Sequence, residues 1–256
     1  MPCAPCRAIA CVFVLIAATA VVGTAHAQSP RISLDEGFES VPSMFTGDNP
    51  WSQSNRSEPP GTDLARVPWR QGSAAFFGAQ GGPSTSFIVV TFESAQGTGT
   101  ISNWLVTPTL LMHNGDVLSF STRTVSSIIF PDRMQVRMSE AGDSLDLGEG
   151  AFGVGDFSRL LLEINPHQLD APAFRTDDPD NSTYPNTWTD FSITIDGLTA
   201  PTVGRIGFRY FVMGGGTTGE SSQAIAIDSL TYTPVPVPGA ALLLGGAGLL
   251  AGRRRR

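Results

Sequence analysis

Histidine, cysteine and the carboxylates are the side chains through which a chain does nucleophilic, acid–base or metal chemistry, and here they are unevenly placed. All three cysteines, Cys3, Cys6 and Cys11, fall in the first eleven residues. A chain trimmed after residue 27 keeps none, which excludes disulfides, thiolate catalysis and cysteine-bound zinc. Two histidines remain beyond that point. His113 stands in a His-Asn-Gly-Asp turn and His167 follows Asn165 and Pro166 in a loop, and both read as solvated turn residues. No G-x-S-x-G, H-E-x-x-H or phosphate-cradling loop is present, and Gly214, Gly215 and Gly216 read as a hairpin loop between two strands. No catalytic residue is assigned and the chain is expected not to be an enzyme. The hydrolytic arrangement left open is a pair of carboxylates converging from distant segments, as in a secreted hydrolase of polysaccharide or protein.

Charge narrows the partners further. All 16 basic residues are arginine, and five of them (Arg7, Arg253, Arg254, Arg255, Arg256) lie in the two terminal segments, leaving eleven against 23 acids, a net of about −12. Such a domain has no general attraction for nucleic acid or anionic lipid. Acidic loops could gather cations, although Asp143-Ser-Leu-Asp146-Leu-Gly148 lacks EF-hand spacing.

The elements that must position these groups have the periodicity of strands. Residues 117–122, 134–138, 191–196, 206–211 and 224–232 alternate apolar and polar, and residues 86–92 are rich in β-branched and aromatic types. That is the pattern of half-buried antiparallel strands. Residues 159–165 are taken as a buried strand. Residues 43–75, 140–155 and 171–185 read as loops, the first carrying Trp51 and Trp69, either of which would stack on a sugar if exposed and otherwise belongs to the core. Strands without intervening helices predict an all-β, antiparallel two-sheet jelly-roll sandwich over residues 28–233.

The ends read as processing signals. Arg7, an apolar run over residues 8–22 and small residues at Ala25 and Ala27 describe a signal helix, residues 1–27, cleaved by signal peptidase before Gln28. At the other end Val235, Pro236, Val237 and Pro238 precede a short hydrophobic helix and the four terminal arginines. Fourteen apolar residues span about 21 Å as a helix, less than a bilayer core of about 30 Å. Residues 234–256 resemble the PEP-CTERM sorting signal of Gram-negative bacteria, with valine at 237 where that motif has glutamate. The resemblance implies transient inner-membrane insertion, cleavage near the proline motif by an exosortase, and delivery to the cell surface or extracellular matrix.

The middle also resembles a known family. Residues 36–39 (Glu-Gly-Phe-Glu), 101–108, 132–137, 155–157 with 164–166, 184–188 (Tyr-Pro-Asn-Thr-Trp) and 225–228 (Ile-Ala-Ile-Asp) occur in the order found in the choice-of-anchor J domain, which is similar to cleaved-adhesin and MAM-type jelly rolls. The resemblance implies a non-catalytic adhesion or carbohydrate-binding module associated with exopolysaccharide and biofilm, or a purely structural matrix protein. Jelly rolls of this kind hold a structural Ca²⁺ where the first and last strands meet, which nominates Glu36, Glu39 and Asp228 as ligands.

Overall fold

The computed structural model describes residues 32–126, 130–169 and 183–235, so the signal segment 1–27 and the tail beyond Val235 lie outside the described residues. Among the described residues no helix is long and apolar enough to cross a membrane.

Alternating sequences bury one face of each strand, and two antiparallel sheets do this against each other. One is built from β1 (Leu34–Glu36), β4 (Arg70–Gln71), β5 (Ile88–Thr91), β8 (Val117–Arg123), β11 (Thr189–Thr194) and β13 (Ala224–Thr233), in the order β11-β8-β13-β5-β4 with β1 also on β13. The other holds β2 (Ser52–Asn55), β3 (Glu58–Pro60), β6 (Ala95–Val106), β7 (Leu110–Met112), β9 (Met134–Ser139), β10 (Arg159–Ile164) and β12 (Thr202–Gly215). Its order is β10-β9-β12-β6-β2, with β3 on β6 and β7 on β12. The two-sheet antiparallel sandwich predicted from periodicity is the fold.

The core between the sheets is supplied by alternate residues. Ile88, Val90, Leu118, Phe120, Ile225 and Ile227 from the first sheet belong to one buried cluster with Met134, Val136, Ile206, Phe208 and Val212 from the second. Each such side chain, fully buried, contributes about 1.5–3 kcal/mol. Two smaller clusters cover the outer faces. Phe77 and Trp188 pack on Phe87 of the first sheet. Phe157 and Leu147, from the long loop after β9, pack on Trp104 and Val106 of the second.

Residues 43–75 are not the continuous loop expected. They contain the end of a one-turn helix, α1 (Val41–Met44), and the strands β2, β3 and β4. β2 reads Ser-Gln-Ser-Asn because it pairs with β6 on one side only, and no apolar face is demanded of it. β3 contains two prolines, which an edge tolerates. The expected glycine hairpin is also shifted: β12 runs through Gly214 to Gly215, which pairs with Gly99, and the turn begins at Gly216.

Candidate functional site

The three nominated carboxylates are brought together from the two ends of the fold. β1 runs antiparallel to β13, with Leu34 opposite Tyr232 and Glu36 opposite Leu230. The alternation of β13 is not strict. Against β8 its register shifts between Asp228 and Thr231, Ser229 takes φ 50°, and the inward positions change from Ile225 and Ile227 to Leu230 and Tyr232. This bulge holds the Asp228 carboxylate against the segment 80–81. Its Oδ2 accepts the Gln80 N–H at 2.7 Å and the Gly81 N–H at 3.2 Å, and its Oδ1 accepts the Ser229 N–H at 2.6 Å. Burial pushes the Asp228 carboxyl up, the three N–H donors pull it down, and the charge of Glu39 pushes it up again.

Glu36 Oε1 accepts the Phe38 N–H at 2.8 Å, and burial raises its carboxyl, with Glu39 and Asp35 adding to the shift. Glu39 folds back over Gly37, where a Cβ would stand 2.5 Å from Oε1, so a side chain at 37 would push the Glu39 carboxylate aside. Glu39 therefore couples electrostatically to both partners. Oxygen donors of this kind suit a hard cation. Among the described residues, however, no group of three or more His, Cys, Asp or Glu side chains stands close enough to hold a metal ion. The arrangement is a coupled acidic cluster rather than a closed cage.

A second network lies inside the sandwich. Asp132 is fully buried: Oδ1 accepts the Tyr210 hydroxyl and the Gln223 N–H (2.8 Å), and Oδ2 accepts the Thr124 hydroxyl at 2.6 Å. Asn165 Nδ2 donates to its backbone carbonyl at 2.8 Å, and the Tyr184 hydroxyl meets Thr122 Oγ1 at 2.7 Å. Burial drives the Asp132 carboxyl up to about 6 against the pull of these donors. It also raises the phenols of Tyr184 and Tyr210. Three of the sequence segments that carry the family resemblance thus converge on one interior network.

The outer face of the second sheet buries a guanidinium. Arg209 donates to Ser102 Oγ (3.0 Å), to Gln135 Oε1 (3.1 Å) and to the Ala151 carbonyl, and lies 3.8 Å from the Phe211 ring centre. Burial, with Arg137 and Arg133 nearby, pushes it down to about 9.

Other nominated residues divide. Val235 N–H donates to Asp116 Oδ1 at 3.0 Å, fixing the strand's exit, whereas Pro236, Val237, Pro238 and Arg253 to Arg256 lie outside the described residues, as do Ala25, Ala27 and Gln28. His167 is exposed as expected. His113 is not the solvated residue anticipated: both ring nitrogens are buried without a hydrogen-bond partner among the described residues, and the turn folds back on Asp116, whose Oδ2 accepts the His113 N–H at 2.8 Å. Trp51 and Trp69 are buried, and Trp51 packs edge-on against Phe38, so neither offers a face to a sugar.

Sequence reasoning missed a groove of about 780 Å³ on the first sheet, walled by Arg66, Arg70, Phe76, Phe92 and Glu93 with Gln223 beside them. Its residues come from four separated segments, none with a recognisable spacing. The single hint was Phe76, in a Gly/Ala/Ser-rich stretch with no periodic reason to be aromatic.

No protein-family model matches the chain, and no curated protein matches it. Among solved structures the chain is similar to the K1 cleaved adhesin domain of Lys-gingipain from Porphyromonas gingivalis W83, at 19% identity and TM-score 0.50, over 80% of this chain and 99% of that one. The K3 cleaved adhesin domain of the same protein gives 19% identity and TM-score 0.47, over 78% and 98%. A structure of TmCBM61 in complex with beta-1,4-galactotriose gives 12% and 0.38, over 72% and 89%. The likeness to the K1 domain shows a shared two-sheet fold across nearly all of that domain.

Proposed function

We propose that the chain is an exported, non-catalytic surface-binding module whose folded domain recognises a glycan or another component of the cell surface or matrix. The observation that carries this reading is where the most strongly perturbed acids sit. Asp132, Tyr184 and Tyr210, all displaced from their ordinary ionisation, are sealed in the interior and satisfied by Thr122, Thr124 and Gln223. Groups tuned for proton transfer must reach a substrate; these stabilise packing instead. The fold shared with an adhesin domain supports the same reading.

In this proposal residues 1–27 direct export, with Ala25 and Ala27 read by signal peptidase before Gln28. Residues 234–256 act as a PEP-CTERM-like sorting signal cut by exosortase near Val235, Pro236, Val237 and Pro238, with Arg253 to Arg256 held transiently on the cytoplasmic side of the inner membrane. Exopolysaccharide of a biofilm is the proposed setting. A structural Ca²⁺ belongs to the same proposal: Glu36, Glu39 and Asp228, too far apart in this structure to hold an ion, would have to draw in around it, and the ion would neutralise the repulsion that Glu39 imposes on the other two.

Intact mass of the protein from producing cells and their medium tests the export reading. Loss of residues 1–27 and of the tail from about Pro236 is the expected result. A chain that retains the arginine end in the membrane fraction overturns the sorting proposal.

A further inference from the structure

The groove on the first sheet has the composition of a binding site, and its parts are fixed before any ligand arrives. Glu93 stands between two arginines: Arg66 Nη1 lies 2.6 Å from its Oε1 and Arg70 Nη2 lies 3.9 Å from its Oε2. The Thr91 hydroxyl donates to Glu93 Oε2 at 3.0 Å, and Arg66 Nε is 3.4 Å from Asp63 Oδ2. Arg70 also donates to the Arg66 carbonyl. The two guanidiniums of the wall thus face Glu93 within it and Asp63 beside it, and the wall carries directional donors and acceptors.

Phe76, 44% exposed, and Phe92 supply aromatic surface in the same groove. Gln223 lines it from the start of β13, its backbone held by the Asp132 carboxylate (2.8 Å) and by the Phe92 N–H (3.0 Å). Its side-chain Oε1 is buried and has no hydrogen-bond partner among the described residues. A buried acceptor left unpaired costs about 1–3 kcal/mol, and a turn of the side chain would present it to a hydroxyl donor in the groove.

From this we infer that the groove bounded by Phe76, Phe92, Arg66, Arg70 and Glu93 is the binding site for an uncharged polysaccharide, one pyranose ring stacking on Phe76 while the arginine–glutamate pairs and Gln223 take its hydroxyls. The inference rests on the surface-binding reading above and names the ligand class and residues for it. Three features converge on a neutral sugar chain. The groove is open, so a polymer can pass through it. Each of its guanidiniums already faces a carboxylate, so neither is free to select a uronate or sulfate. The domain's net negative charge repels polyanions. The volume, about 780 Å³, lies in the range of small-ligand sites and accommodates two or three sugar rings.

Native affinity electrophoresis of the full chain tests this, with β-1,4-galactan, xylan, hydroxyethyl cellulose or dextran in the gel, and with alginate as the anionic probe. Retardation by at least one neutral polymer is expected, weakened about tenfold or more by Phe76→Ala and by Glu93→Gln. Phe152→Ala, in the loop that packs on Phe211 of the other sheet and also exposed to solvent, serves as the control that retains retardation. Thermal midpoints of the three variants establish that each is folded. If neutral polymers still retard both groove variants, the groove assignment fails while glycan binding stands. Retardation by alginate alone overturns the neutral-ligand inference. Retardation by none of the polymers removes the glycan reading of the groove and leaves a protein partner for the surface-binding module.

Discussion

Asp132 shows what a single residue can reveal about this domain. Its carboxyl, raised to about 6 from 3.8, binds a proton in the folded state over a pH range where the unfolded chain has already lost it. Stability tied to that proton is therefore absent above about pH 6, grows as pH falls through the folded value, and is complete near the unfolded value of about 4. Glu36 and Asp228, both raised by burial, act in the same direction. The free energy of urea unfolding is expected to rise between pH 7.5 and pH 4.5, by about 2 kcal/mol from Asp132 alone. Asp132→Asn should flatten that slope; a slope unchanged in the variant would exclude Asp132 as its source. Residue chemistry was only partly legible in the sequence. Glu36, Glu39 and Asp228 could be nominated because the resemblance placed the first and last strands side by side. The interior role of Asp132 could not be, since its partners Tyr210, Thr124 and Gln223 come from three other segments.

At the scale of elements, periodicity found the strands whose two faces differ and missed those that lack such a contrast. β8, β9, β11 and β13 were visible from alternation. β2, β3 and the first half of β6 were not, because Ser, Gln, Pro, Thr and Gly there pair at an edge or lie half-exposed. The β13 bulge was also hidden, although the change from isoleucine at 225 and 227 to leucine at 230 records it. In β12, Gly207 is a case where sequence alone suggests flexibility and the structure requires smallness. A Cβ there would meet the Trp104 and Phe157 rings at 3.1 Å, where the loop after β9 closes over the sheet. Gly207→Ala should therefore lower stability by about 1–3 kcal/mol, through displacement of those rings. Equal urea midpoints, with unchanged tryptophan emission, would show that the loop gives way at no cost.

For the whole molecule the decisive quantity is charge without a counterion. Asp228 is a poor probe of calcium, because replacing it leaves the Gln80, Gly81 and Ser229 N–H groups without their acceptor whether or not an ion is bound. Glu39 is the better one. It is exposed, and its charge adds to the burial that raises both neighbours. Millimolar Ca²⁺ is expected to raise the thermal midpoint of the full chain, whereas Glu39→Gln should lose that increment and, in chelator, match or slightly exceed the parent. An unchanged parent midpoint on adding Ca²⁺ would remove calcium from the account.

The pairing of β1 with the end of β13 bears on how the domain carries load. Leu34 lies opposite Tyr232 and the Val235 amide is tied to Asp116, so both ends of the described chain leave the same edge side by side. Tension applied between residues 34 and 235 meets the β1–β13 bonds one after another, as a zipper opens, and peels away a strand of three residues at low force. Tension entering through residue 235 alone pulls on a strand bonded by β8 on one side and by β1 and then β5 on the other. Pulled through residue 235, the domain resists as a unit; pulled between residues 34 and 235, it lengthens first at β1.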